Sequence, residues 1–345
     1  MSTPELQTYL AFAQEMMRRV YAEEDQLQIH QWATENLAKL GGRSEENAVM
    51  TWLESFDFYE ALLVKRSQDA ALPAEERKTI DWFWDSWNKM IDPLEPGMLG
   101  VLSAGDGQGK TIYAECLAEH WARRKNRVVF VHYELNRVLM MDRRAARHTG
   151  IQRRDLKAGK LNKEQAQLVF DMRPRLTAWD GYITYLHTPG WSMEKTVQEL
   201  HRLKAEGQCD VVMLDYLEKS AASRRQLQMF GNQSYQRETD NVNQLKDFAE
   251  ATETPVLMLA QMSKSGKTTS ADQLDRTDMR GAGEKSERAN VVILLKRDKV
   301  EGGYSNEVSV VIDKNTMGAT GTVKQLMEPE LFRVHDLEMQ RHELN

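Results

Sequence analysis

Residues 97–122, "GMLGVLSAGDGQGKTIYAECLAEHWA", decide the fold. The apolar run "GMLGVLSA" reads as a strand, the small residues after it as a loop, and "TIYAECLAEHWA" as a helix. That order suits a phosphate cradle, in which consecutive backbone N–H groups curl around an anion at a helix N-terminus and bulky side chains are excluded. Gly105, Gly107 and Gly109 meet that need. A lysine that reaches the β- and γ-phosphate oxygens and a hydroxyl that ligates Mg²⁺ must follow at once, and Lys110 and Thr111 do. The usual pattern opens on Gly, whereas Ala104 holds that place here, so the match is to the relaxed form. A glycine-rich turn before an ordinary helix is the bland alternative, and the strand–loop–helix context weighs against it. Ala104, Gly105, Asp106, Gly107, Gln108, Gly109, Lys110 and Thr111 are therefore the expected ATP-binding stretch, with Mg²⁺ at Thr111.

Outward from that stretch, short apolar runs alternate with helical patterns: "VVFVHY", "YITYLH", "VVMLDY", "PVLMLAQ", "NVVILLK" and "VSVVID". Runs of this length, rich in β-branched residues and separated by helices, are the buried strands of a largely parallel sheet. The class is α/β. "RETDNVNQLKDFAEATETP" before "VLMLAQ" reads as a crossover helix that ends near a proline.

The N-terminal region is patterned differently. Leu6, Tyr9, Leu10, Ala13, Met17 and Val20 recur at helical spacing, as do Leu27, Trp32, Ala33, Leu37 and Leu40 before Gly41-Gly42, and then Met50, Leu53, Phe56 and Leu63. A small helical module is expected over residues 1–72, for docking, for self-assembly or as a cap on the main domain. The polar stretch "SQDAALPAEERK" with Pro73 marks the linker, set at 73–80, and the α/β domain follows over 81–345.

Composition narrows the function classes. The chain has 345 residues, 41% of them hydrophobic, and suits one large domain plus a small one. It holds no apolar run of membrane length, and its N-terminus lacks the layout of a signal peptide, so the expected location is the cytoplasm, with no membrane partner. Cys116 and Cys209 lie in apolar contexts and read as core residues. A net charge of −6 opposes a generally basic surface but leaves room for a basic channel.

Nucleotide chemistry needs further groups at strand ends. "CDVVMLDYLE" offers Asp215 for the Mg²⁺ side, where the bland reading is a strand-end turn cap. "RVVFVHYEL" ends near Glu134, suited to activating water, and Gln261 closes "VLMLAQ" where a γ-phosphate sensor would stand.

The ordered set "AGDGQGKT", "VHYELNRVLMMDRR", "HTPGWSMEKTVQELHRLK", "VVMLDYLEKS", "PVLMLAQMSKS", "DMRGAGEKSERANVVILLKRD" and "IDKNTMGATGTVKQL" resembles the ATPase domain of the DnaB-like hexameric replicative helicases, a RecA-like motor. The resemblance runs from about Trp82 to Val334 and leaves the N-terminal residues unmatched. It implies that Lys110 and Thr111 contact phosphate and Mg²⁺, that Glu134 activates water, that Asp215 stands on the Mg²⁺ side and that Gln261 senses the γ-phosphate. It also implies that Arg280, Gly281 and Gly283 hold DNA phosphates in a central channel, contacts blind to base sequence. One place departs from the family. Lys314 holds the lysine position of its "K-x-R", but Thr316 stands where the arginine finger is expected, and losing a finger costs about 10³ to 10⁵ in rate.

Two clusters read more blandly. Arg143, Arg144, Arg147, Arg153, Arg154 and Lys157 could touch nucleic acid, but their spacing suggests a solvated helix face. "WFWDSW" (82–87) could stack on a base, but packing or a subunit contact fits it better. The resemblance implies a ring, a hexamer in the family, that uses ATP and Mg²⁺ to translocate on single-stranded DNA, with a loader or primase as further partner. The alternative is a non-unwinding ATP-binding platform that recruits partners, favoured by Thr316 and the acidic balance.

Overall fold

The computed structural model describes residues 4–22, 24, 28–29, 32–33, 36, 51–72, 79–133, 137–178, 181–215, 217–263, 266 and 269–337. The chain separates into two compact units, Met1–Pro73 and Ala74–Asn345.

In the first unit a helix spans Pro4–Tyr21, with Arg18 and Arg19 in its last turn where cations meet the negative end of the helix dipole. A second helix spans Trp52–Ala71, so the first residues of the polar linker stretch continue a helix instead of leaving it. This helix exposes Trp52, Leu53, Phe56, Tyr59, Leu63 and Val64. Leu27, Leu37, Leu40, Gly41, Gly42 and Met50 lie outside the described residues, as do 73–78 of the expected linker.

The second unit is built on a nine-stranded sheet. Its strands are β1 (Leu99–Ala104), β2 (Val128–His132), β3 (Ile183–His187), β4 (Val211–Asp215), β5 (Val256–Gln261), β6 (Val291–Lys296), β9 (Glu307–Asn315), β10 (Gly321–Glu328) and β11 (Arg333–Asp336); a small hairpin, β7 (Lys299–Val300) and β8 (Gly303–Tyr304), stands apart. The order is β11-β10-β9-β6-β1-β5-β4-β2-β3. The six strands from β6 to β3 are parallel, and β9, β10 and β11 join them antiparallel. The run "VSVVID" therefore sits in an antiparallel strand: the chain between β6 and β9 holds only the hairpin, with no crossover helix to carry it back parallel.

Helices cover both faces, so the inner parallel strands β6, β1, β5, β4 and β2 bury both sets of side chains, while the edge strand β3 is only partly buried. Leu102, Ala104, Phe130, Met213, Leu259 and Ile293 point to one face, where Tyr113, Leu117 and Trp121 of the helix Lys110–Arg123 meet them. Val101, Val129, Leu214, Met258 and Leu294 point to the other, under Leu200, Val242, Leu245 and Phe248 of the helices Met193–Ala205 and Ser234–Thr252. Trp82, Trp84 and Trp87 belong to the first core, exposed by 0%, 3% and 0%, so they are interior packing and unavailable to a base. Trp84 donates its indole N–H to the Val334 carbonyl at 3.0 Å and packs on Tyr113, which ties residues before β1 to the far edge of the sheet. Cys116 and Cys209 are free and buried, their thiols pushed up to about 11 and about 12 by desolvation.

Candidate active site

The phosphate loop leaves the C-terminal end of β1, a central strand bonded to β5 on one side and β6 on the other. Parallel strands all present their C-terminal ends to the same edge, so the residues that end β4 and β5 arrive beside the loop. Gly109 precedes the helix Lys110–Arg123 with φ at 101°, a left-handed conformation, and a Cβ there would overlap Met327 Cε of β10. Only glycine satisfies both conditions. Lys110 and Thr111 open the helix, whose N-terminal end meets the loop.

Thr111 Oγ1 donates to Asp215 Oδ2 at 2.9 Å. Asp215 is buried, and desolvation pushes its carboxyl up to about 6, against the Thr111 hydrogen bond and the Lys110 charge. Its other oxygen, Oδ1, is buried with no hydrogen-bond partner. A buried orphan acceptor next to a hydroxyl is a donor set that fits Mg²⁺, whose other ligands would be phosphate and water oxygens. Gln261 pairs with Ala104 across β1 and β5, and its Nε2 donates to Asp106 Oδ1 at 2.8 Å. Thr111, Asp215 and Gln261 thus meet at the loop. Glu134 lies outside the described residues.

These groups line one cavity of about 540 Å³, a size in the range of small-molecule sites. Arg143, Arg297, Pro329 and Phe332 complete its wall, and sequence reasoning assigned none of the four to it. Arg297 follows β6, whose end opens on the same edge, so the parallel-strand rule reaches it; its guanidinium donates to the carbonyls of Ser305 at 2.6 Å and Gly107 at 3.4 Å and braces the loop. Pro329 and Phe332 come from the turn between antiparallel β10 and β11, which that rule does not reach.

The basic cluster is a correction. Arg143, Arg144 and Arg147 lie on the helix Arg137–Thr149, and they face buried carboxylates and not solvent. Arg147 reaches Glu115 at 3.0 Å and Glu119 at 2.8 Å, Arg144 reaches Glu119 at 3.0 Å, and His148 reaches the other Glu119 oxygen at 3.0 Å. Burial pushes the Glu115 carboxyl up; at Glu119 burial is outweighed by Arg147, His148 and Arg144, which hold it well below the usual carboxylate range. Arg143 stands 3.6 Å from Glu115 and turns toward the cavity over the Phe332 ring. Arg154 is exposed.

Two expected groups stand elsewhere. Lys314, on β9, donates to the carbonyls of Ser286 and Glu287 at 2.8 and 3.0 Å, and does not line this chain's own cavity. Arg280 and Gly281 precede the helix Ala282–Arg288; the Arg280 side chain is half exposed, 3.8 Å from Glu238, and Gly281 has φ at 62°. A Cβ at Gly283 would meet the Tyr235 hydroxyl at 2.8 Å, so the exposed tyrosine would have to shift.

A largely parallel sheet with a phosphate loop after its central strand defines the class, a P-loop protein with the RecA-like fold. The profile of the DnaB-like helicase C terminal domain matches residues 82–336, and the chain belongs to that family. It is 25% identical over 256 residues to the replicative DNA helicase DnaB of Geobacillus stearothermophilus, covering 73% of this chain and 55% of that protein. It is 22% identical over 244 residues to a probable plasmid replicative DNA helicase of Chlamydia trachomatis, 70% of this chain and 51% of that one. The chain thus spans about half the length of these curated relatives. Among solved structures, an isolated ATPase domain superposes with a TM-score of 0.69 at 19% identity, over 81% of this chain and 98% of that one. A DnaB-like replicative helicase described with its interactions with primase superposes with a TM-score of 0.74 at 17% identity, over 96% and 76%. Among the described residues, no helix is long and apolar enough to cross a membrane.

Proposed function

We propose that this chain is the motor of a replicative DNA helicase: a hexameric ring that binds ATP with Mg²⁺ and pulls single-stranded DNA through its channel. Residues 81–345 form the motor, 73–80 the linker and 1–72 a helical module that contacts a neighbouring subunit, a loader or a primase. The chain works in the cytoplasm, where the DNA it acts on is replicated.

The observation that carries this reading is the meeting, in one cavity, of Lys110, a Thr111 hydroxyl bonded to Asp215, and a Gln261 amide bonded to the phosphate loop. The backbone from Ala104 through Gly109 (Gly105, Asp106, Gly107 and Gln108 between them) cradles the phosphates, and Lys110 neutralises them. Thr111 and Asp215 would hold Mg²⁺, which would neutralise charge on the phosphate oxygens. Glu134 accepts a proton from the attacking water, and Gln261 contacts the terminal phosphate. Lys314 acts from the neighbouring subunit, consistent with its distance from this chain's own cavity. Arg143 on the cavity wall gives positive charge in cis where Thr316 gives none. Arg280 and the amides of Gly281 and Gly283 hold DNA phosphates without regard to sequence.

The test is the steady-state ATPase rate with and without single-stranded DNA. Stimulation by DNA, with a loss of about 10³-fold or more on Lys110→Ala, is the expected result. Nucleotide binding with no hydrolysis in either condition would replace the motor with a recruiting platform.

A further inference from the structure

Beneath the Arg280 loop lies a buried cation that the nucleotide cavity does not use. Lys285 is 1% exposed, and its ammonium donates to Glu218 Oε1 at 2.5 Å and to the Arg280 carbonyl at 2.7 Å, with Glu238 Oε2 at 3.4 Å. A lysine is buried at high cost unless each of its donors is met, and here three acceptors surround it. Glu218 Oε1 also accepts the Gln261 backbone N–H at 3.3 Å, while the Gln261 carbonyl accepts the Arg280 N–H at 2.8 Å. The bonds therefore close a ring: Arg280 carbonyl, Lys285, Glu218, Gln261, and back to the Arg280 amide. The side chain of the same Gln261 rests on Asp106 of the phosphate loop. Gly281, the next residue, has φ at 62°, a left-handed conformation that favours glycine.

We infer that Lys285 is a positioning residue: with Glu218 it fastens the Arg280 backbone to Gln261, so that a shift of Gln261 at the phosphate loop moves the Arg280 loop with it. Glu218 Oε2 is buried without a hydrogen-bond partner, so the carboxylate is held in the ring through Oε1 alone. The Arg280 side chain stays half exposed while its backbone is clamped, which suits a group carried to an external anion. The coupling rests on the reading of the cavity as a nucleotide site; the clamp does not.

Hydrogen exchange on the full chain, followed in peptides that cover residues 278–283, tests both. The variants are Lys285→Met and the double variant Lys285→Met with Glu218→Gln, which leaves no unpaired charge on Glu218 and keeps the test usable if the single variant fails to fold. Without nucleotide, exchange in this segment should speed up by about tenfold in the double variant, as expected for losing a clamp on the Arg280 amide, while β1 and β4 keep their protection. Unchanged exchange overturns the clamp. With Mg²⁺ and a non-hydrolysable ATP analogue, the segment should respond at least about fivefold in the native protein and less than about twofold in the double variant, with analogue affinity retained. Equal responses in the two proteins, or none in a native protein that binds the analogue, overturn the coupling. Failure to bind the analogue, seen in a separate titration, refutes the nucleotide reading and with it the coupling, and the exchange without nucleotide still decides the clamp.

Discussion

Two buried ion clusters flank the phosphate loop, and they are assembled from different parts. The first joins two helices: Glu115 and Glu119 on the helix that the loop opens, and Arg143, Arg144, Arg147 and His148 on the next. The second joins a helix, a turn after β4 and a crossover helix, through Lys285, Glu218 and Glu238, and one of its ties goes to a loop carbonyl. In the first, basic groups outnumber carboxylates and the ion pairs run from helix to helix, so it braces one helix against the other. In the second, one ammonium serves two carboxylates and a backbone group, so its geometry depends on where the loop lies. A cluster tied to regular elements holds a site still, whereas one tied to a loop transmits its position.

The largest effect is expected from removing the central cation of the first cluster. Arg147→Met strands Glu119 and Glu115 in the interior, and the expected loss is about 3–5 kcal/mol of stability, read from denaturant unfolding. A loss below about 1 kcal/mol would show that Arg144 and His148 suffice and that the cluster is no brace.

Proton uptake separates the clusters next. Asp215 borders the first cluster, whose Glu115 raises its carboxyl and whose Arg143 lowers it, and burial sets it at about 6. Mg²⁺ needs the carboxylate, so Mg²⁺-dependent nucleotide affinity should be full above about pH 7 and fall by up to about tenfold per unit below about pH 6. In the nucleotide-free domain the sign reverses: a pKa raised from 3.8 to about 6 gives stability at low pH that is lost as pH rises through that window. Affinity titrations from about pH 5 to about 8 check the first statement, and a pH-independent affinity would remove Asp215 from the Mg²⁺ side.

The smallest effect is expected at an exposed pair. Lys324→Ala breaks the 2.7 Å contact with Glu307 on the sheet surface, where both side chains are about half exposed, and thermal unfolding should not move measurably. A shift comparable to Arg147→Met would erase the distinction between buried and exposed pairs on which the comparison stands.

What the sequence revealed follows the range of each interaction. The phosphate loop was legible because its chemistry is local, carried by consecutive residues from Ala104 to Thr111. Asp215 and Gln261 were legible because strand ends in a parallel sheet share an edge. The arginines of the helix Arg137–Thr149 were misread as a solvated face because their spacing describes one helix alone, while their partners lie on another. Lys285 was equally hidden: nothing near it in sequence announces Glu218 or Glu238. Phe332 and Pro329 reach the cavity from antiparallel strands whose pairing no local pattern gives.

The central place of β1 has a consequence for synthesis. Its neighbours pair Leu99 with Val256 and Gly100 with Val291, so the strand that launches the phosphate loop waits for residues made far later in translation. Until β6 has left the ribosome the loop has no rigid floor, and pairing over such sequence distance is slow. Nascent chains cut short before β6 should thus be unable to retain nucleotide, which makes nucleotide capture a mark of a finished sheet.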